Sequence, residues 1–396
     1  MYQRKNTLTK NINQGRGLPG QQIVGKGLLA VAAAVSSVLF LVPASGAAAF
    51  VPGVYNQTNL VSDSTGHAAV TDSKLVNPWG LVHNATSPWW ISDNGTGSSS
   101  IYSGAGVSVR PVVAIPDPSG AAGKGTPTGV VYNEVSTSQP TAFVIKKGTV
   151  SGPSTFIFAT EDGTIAGWNK TVDGNNAIIA IDHSKTNDGH GHIGAVYKGL
   201  AYGFNGGKPY IYATNFRFGV VDVFDATYHF VMSFSDPNLV TACLSQCYAP
   251  FGIQNIGGKL YVSFALQDSA KHDDIAGSGH GYVDVFSTNG TFLKRLISRG
   301  LLNSPWGMAL APKDFGGASN QLLVGNFGDG TITSYNFFSG LPVGKLIGKS
   351  NQPIHIDGLW GLAFGNDHLA GKHNELFFTA GFGGEAHGLF GKIVKQ

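Results

Sequence analysis

A six-residue phrase built around one glycine recurs six times and limits what this chain can fold into. It reads Asn77-Pro78-Trp79-Gly80-Leu81-Val82 at its first occurrence. The later copies centre on Gly129 (Pro-Thr-Gly-Val-Val-Tyr), Gly199 (Tyr-Lys-Gly-Leu-Ala-Tyr), Gly252 (Pro-Phe-Gly-Ile-Gln-Asn), Gly307 (Ser-Pro-Trp-Gly-Met-Ala) and Gly361 (Leu-Trp-Gly-Leu-Ala-Phe). The steps between glycines are 49, 70, 53, 55 and 54 residues. Each phrase is too short and apolar for anything but a buried strand, and a second β-rich run follows it, such as Pro88-Trp89-Trp90-Ile91-Ser92-Asp93-Asn94 or Thr155-Phe156-Ile157-Phe158-Ala159-Thr160. A third run and a weaker fourth follow in most units, the fourth including Pro111–Ile115, Ala177–Ile181 and Phe292–Leu296.

A period near 50 with about four short strands per period is the signature of a β-propeller, and six phrases predict six blades. The glycine has a physical reason: inner strands crowd a narrow axis, and a missing side chain lets backbones approach. Trp79, Trp306 and Trp360, just before it, are expected as inter-blade core. The last unit ends after its third strand, while Tyr55–Ser62 is a strand with no inner phrase before it. Placing that segment outermost in the sixth blade closes the ring and removes an exposed edge. The long 70-residue step is assigned to the loop Asp182–His192, and a second insertion to Gln267–Asp274.

With 42% hydrophobic and 12% charged residues and 56 glycines, the composition suits an all-β, turn-rich fold and not long surface helices. The net charge of +3 belongs to residues 1–49, which hold five bases and no acid; the remainder has 21 bases against 23 acids. A near-neutral body makes no electrostatic case for nucleic acid. Residues 1–49 read as a Sec-type signal peptide: a basic stretch to Lys26, an apolar run from Gly27 to Val42, and small residues up to a cut after Ala49. The run is shorter than the roughly 20 residues of a spanning helix. The expected organisation is therefore a leader (1–49) and one propeller domain (50–396), secreted, periplasmic or at the cell surface, without a membrane span. Cys243 and Cys247 are an isolated pair, for which a loop disulfide is expected in an oxidising compartment.

The aromatic-Gly-aliphatic phrase, with hairpins such as Asn326-Phe327-Gly328-Asp329-Gly330-Thr331-Ile332, resembles NHL-type six-bladed propellers. Asn77-Pro78-Trp79-Gly80-Leu81 with Ser87–Gly97 is similar to a set of exported, uncharacterised bacterial propellers. Many members of that set carry a Pro-Glu-Pro sorting tail; the segment Gly391–Gln396 does not. The resemblance covers residues 55–396 and implies fold and compartment, not activity.

Loops leading into the inner strands and hairpins joining second to third strands share one propeller face. They carry Asn77, Ser304, His355 and Asp357, and Asp93, Asn94, Glu161, Asn215, Asn326, Glu385 and His387. Converging carboxylates and amides suit a hard cation such as Ca²⁺ or another divalent ion, with Glu161, Asn215 and Asn326 as candidate ligands. Turn chemistry explains many of the same residues, since Asn, Asp and Gly tolerate positive φ. Gluconolactonase-like propellers resemble this pattern and imply metal-dependent hydrolysis, but their first phrase opens with Glu where this chain has Asn77. His183, His190 and His192 lack the spacing of zinc sites, and no nucleophile elbow is present. Binding of a glycan, peptide or envelope protein at the channel mouth is the favoured reading. A metal-dependent hydrolase or lyase is the alternative, and a matrix structural protein a third. Exposed Phe216, Phe218 and Phe327 would favour binding, and an acidic cluster the enzyme.

Overall fold

The computed structural model describes residues 51–240 and 247–396. They form six blades of four antiparallel strands, one of them with a short fifth strand added in parallel, so the six-bladed β-propeller expected from the repeats is the fold. Blade 1 runs Pro78–Val82, Trp89–Asp93, Ser98–Tyr102 and Val113–Ala114 from the inside outward. Blade 2 uses Pro127–Tyr132, Phe156–Thr160, Thr164–Trp168 and Ile178–Asp182. The inner strands of blades 3 to 6 are Tyr197–Asn205, Tyr248–Ile256, Pro305–Leu310 and Leu359–Phe364.

The repeat glycines do what their position predicts. A methyl group on Gly80 would lie 2.6 Å from the Thr128 carbonyl oxygen of the next inner strand. On Gly252 it would lie 2.1 Å from the Trp306 oxygen, on Gly307 2.4 Å from the Trp360 oxygen, and on Gly361 2.6 Å from the Trp79 oxygen. Gly129 meets the Leu200 nitrogen at 2.2 Å, and Gly199 the Phe251 oxygen at 3.0 Å. Each glycine therefore faces the inner strand of the following blade, and the last faces the first.

The ring closes as the sequence predicts. Tyr55–Ser62 pairs antiparallel with Leu389–Lys395, from Tyr55 opposite Lys395 to Ser62 opposite Leu389. It is the fourth strand of blade 6 but not the outermost, because Val70–Thr71 adds parallel outside it. The 70-residue step also differs from expectation. Its excess is a hairpin, Val144–Lys147 with Val150–Pro153, inserted between the first two strands of blade 2. The His-rich connection 183–196 is about as long as the corresponding connection 346–358 of blade 6 and is not the excess.

Apolar clusters lie between each neighbouring pair of blades; Trp90, Ile101 and Phe158 fill the joint between blades 1 and 2. The three phrase tryptophans are elsewhere. Trp79, Trp306 and Trp360 join Phe216, Ala249, Phe251 and Ala265 in a separate buried cluster. Trp79 stacks on Trp360 at 3.5 Å, and Trp306 meets both edge-on at 6.0 and 5.7 Å. Trp306 Nε1 of blade 5 donates to the Lys198 carbonyl of blade 3 at 2.9 Å. Non-neighbouring blades touch only across the axis, so these rings plug the channel instead of filling an inter-blade joint. Below the plug a narrow axial cavity of about 40 Å³ is lined by five of the six repeat glycines, Gly80, Gly129, Gly199, Gly307 and Gly361.

No helix among the described residues is long and apolar enough to cross a membrane. The leader, its cut after Ala49, and Cys243 of the expected Cys243–Cys247 bridge lie outside the described residues.

Candidate functional site

Side chains from five blades form one hydrogen-bonded arc over the aromatic plug. Asn77, held at φ 46° where the chain turns into blade 1, donates from Nδ2 to Glu385 Oε2 at 2.7 Å and Asn94 Oδ1 at 3.4 Å. Its Oδ1 accepts from Trp360 Nε1 at 3.1 Å, which fixes the amide's orientation. Asn94 Nδ2 then donates to Glu161 Oε2 of blade 2 at 2.8 Å. Glu161 Oε1 takes an ion-paired hydrogen bond from Lys198 Nζ of blade 3, which also reaches Asp273 Oδ1 of blade 4 at 3.0 Å. His272 Nδ1 shares that Asp273 oxygen at 2.9 Å.

Lys198 is the centre of the arc. Its side chain is 2% exposed, and its ammonium stands 5.2 Å from the Trp79 ring centroid and 5.9 Å from that of Phe216. Burial alone would lower its pKa, but Glu161 and Asp273 outweigh burial and hold it above the ordinary lysine range. Its amine is therefore charged at neutral pH and is no nucleophile. Burial raises Glu385, against the Asn77 hydrogen bond. Asp273 is pulled well below the carboxylate range by its His272 hydrogen bond and by Lys198.

Of the sequence candidates, the structure brings together Asn77, Asn94, Glu161 and Glu385. It engages the others elsewhere. Asp93 is fully buried beneath the hairpin and accepts from Ser100 Oγ at 3.1 Å and Ser98 Oγ at 3.3 Å; burial raises its pKa strongly. Asn215 Nδ2 donates to Asp222 at 2.9 Å. Asn326 is wholly buried and bridges the Asn303 N–H and the Leu301 carbonyl. Asn215 and Asn326 thus have local structural partners and do not join Glu161 in a ligand set. Asp357 is exposed and accepts from the Gly383 N–H. His387 is exposed, paired with Asp63 at 3.0 Å and stacked on Phe382. Among the described residues the carboxylate and imidazole atoms that do converge as a possible cation site are those of Glu161, His272 and Asp273, within 4.8 Å of one another.

The aromatics are also redistributed. Phe216 is buried in the plug, Phe327 stacks half-buried on Trp360 at 4.0 Å, and Phe218 lines a separate cavity. Lys198 was missed in the sequence, although a signal was there. In the six phrases the residue before the glycine is Trp, Thr, Lys, Phe, Trp and Trp, and a lysine in an otherwise mostly aromatic column is the outlier.

No protein-family profile matches the chain. An uncharacterised protein of Acanthamoeba polyphaga mimivirus is 33% identical over 345 residues, covering 85% of this chain and 79% of that protein. A second uncharacterised protein of the same virus is 31% identical over 345 residues, covering 85% of each. Among solved structures a glucose dehydrogenase aligns with 85% of this chain and 98% of its own, at 13% identity and a TM-score of 0.49. With about a third of its residues identical over most of both lengths, this chain belongs to one family with the two uncharacterised mimiviral proteins.

Proposed function

We propose that this propeller is an exported, NHL-like binding module whose channel mouth takes a glycan bearing hydroxyl and amino groups. The observation that carries this reading is the arc from Glu385 through Asn77, Asn94, Glu161 and Lys198 to Asp273. Both Asn77 amide hydrogens and one of Asn94's are spent on the arc's own members, while the carboxylates retain lone pairs for a visitor. Three carboxylates against one ammonium leave the mouth acidic, which favours ligands that donate hydrogen bonds. The buried tryptophans underneath keep the arc rigid, and a preorganised polar site spends less free energy on ordering. Export rests on the basic, apolar and small-residue succession of residues 1–49.

The alternative, a divalent cation such as Ca²⁺ serving a hydrolase or lyase, draws on the convergence of Glu161, His272 and Asp273. Lys198 argues against it. Its ammonium already bridges Glu161 and Asp273, offsetting one of their two charges from the place a cation would need.

Binding of amino sugars and neutral oligosaccharides to an immobilised glycan array tests the proposal. The wild type should retain amino-sugar ligands, and both Asn94→Ala and Glu385→Gln should lose them. Retention of ligand by both variants would remove the mouth from the reading. A stoichiometric divalent metal in the purified protein, with a Tm that falls on chelation, would favour the alternative.

A further inference from the structure

The His-rich connection after blade 2, which the mouth does not use, borders a second cavity of about 440 Å³ on the flank of blade 3. Phe218, Val220 and Phe230 supply apolar walls, Phe230 being 54% exposed. His183, Asp222 and Ser233 line the same space.

Behind His183 lies a buried relay. His183 Nδ1 is 2.8 Å from Tyr197 Oη, and Tyr197 Oη donates to Asp222 Oδ2 at 3.1 Å. Asp222 also accepts from Asn215 Nδ2 at 2.9 Å and from Ser233 Oγ at 2.6 Å. Tyr197 is fully buried and Asp222 is 5% exposed. Proton counting then fixes the imidazole. Tyr197 has one hydroxyl proton. Asp222 already accepts from two other donors and is the acceptor for it. Burial and the adjacent Asp222 charge hold Tyr197 well above the ordinary tyrosine pKa, so that proton stays on. The Tyr197 oxygen can therefore only accept from His183, which requires the hydrogen on Nδ1. In the neutral ring the lone pair then sits on Nε2, which has no hydrogen-bond partner among the described residues.

We propose that this cavity is a second binding site, for a small apolar or aromatic molecule carrying an O–H or N–H group. The molecule's body packs against Phe218 and Phe230, and its donor is received by His183 Nε2. Tyr197 and Asn215 act as positioning residues from behind the cavity wall, and Asp222, which lines the cavity, anchors the Tyr197 hydroxyl that sets the tautomer. This assigns Asn215 a place beside a site quite separate from the channel mouth.

The tautomer is directly observable. Long-range ¹H–¹⁵N correlation on the labelled full chain at pH 8, above the ordinary histidine range, should show His183 protonated on Nδ1 and bare on Nε2. Titration with phenol should shift the Nε2 resonance. Anisole has the same ring but no donor, and it should bind about tenfold more weakly, the loss of roughly one hydrogen bond. Tyr197→Phe should release the tautomer and weaken phenol to the level of anisole. If that variant does not fold, the wild-type measurements decide alone. A His183 hydrogen on Nε2, or equal affinity for phenol and anisole, would overturn the proposal.

Discussion

Lys198 and Glu161 meet across the boundary between blades 3 and 2, the ammonium 2% and the carboxylate 12% exposed, above a floor of indole rings. A charge this deep is tolerated because both its carboxylate partners are present. Lys198→Met should remove the cation and leave Glu161 uncompensated, lowering unfolding free energy by about 3 kcal/mol. Denaturant titration measures this. Adding Glu161→Gln to Lys198→Met should cost less than the two single changes summed, since one pair is being removed twice. Additive losses would show that the pair is not coupled.

The pair also has a pH signature. The lysine pKa is raised in the folded state, so its stabilisation is complete below the ordinary lysine range and is lost as pH rises through the raised value. The Tm of the wild type and of Lys198→Met should therefore converge at strongly alkaline pH. Parallel Tm curves up to that limit would count against the assignment.

Asp93 should act in the same direction but in a lower pH window, through the cost of its own burial. Burial raises its pKa well above 3.8, with no cation among its hydrogen-bond partners. Between about pH 4 and its raised value the unfolded chain releases a proton that the folded chain keeps, so stability falls as pH rises. Asp93→Asn removes that dependence. Calorimetry from pH 4 to 8 should show the variant gaining on the wild type as pH rises, and a constant Tm difference would refute the account.

The inner-strand glycines can be ranked. Alanine at 252 meets a backbone oxygen at 2.1 Å, which cannot yield without moving blade 5. Alanine at 199 meets its nearest atom at 3.0 Å. Gly252→Ala should destabilise by about 1–3 kcal/mol or more, the cost of overpacking, and Gly199→Ala by less. Equal losses in urea titration would mean the blades adjust freely.

Deleting residues 55–62 should expose the edge of Leu389–Lys395 in blade 6. An unpaired edge strand recruits other chains. Light scattering after size exclusion should therefore show oligomers where the full chain gives one discrete species. An unchanged species with unchanged Tm would mean that the closing strand is dispensable.

The blades were legible because two regularities survive in the residues themselves: the glycine before each aliphatic run, and the near-constant step between glycines. Ring closure was legible because Tyr55–Ser62 was one strand too many at one end and the last blade one strand short at the other. The inserted hairpin is not legible because Val144–Lys147 and Val150–Pro153 alternate weakly, while the histidines of 183–192 belong to a connection of ordinary length. The site was only half legible. Asn77, Asn94, Glu161 and Glu385 stood out as polar residues beyond the needs of a turn. Lys198 sat inside a strand phrase, where its direction depends on which way the inner strand faces the axis. Tyr197 and Asp222 looked like ordinary strand residues, because their relation to His183 exists only once blade 3 is folded beside the loop.

The strand Tyr55–Ser62 is made well before its partner Leu389–Lys395. On a ribosome, the whole of the remaining propeller must be synthesised before that strand finds its place. Until then it is an idle ribbon, free to pair wrongly or to be held by a chaperone. Locking the circle is thus an event in time as well as a feature of shape, because it waits until the blades lying between the two strands have been made.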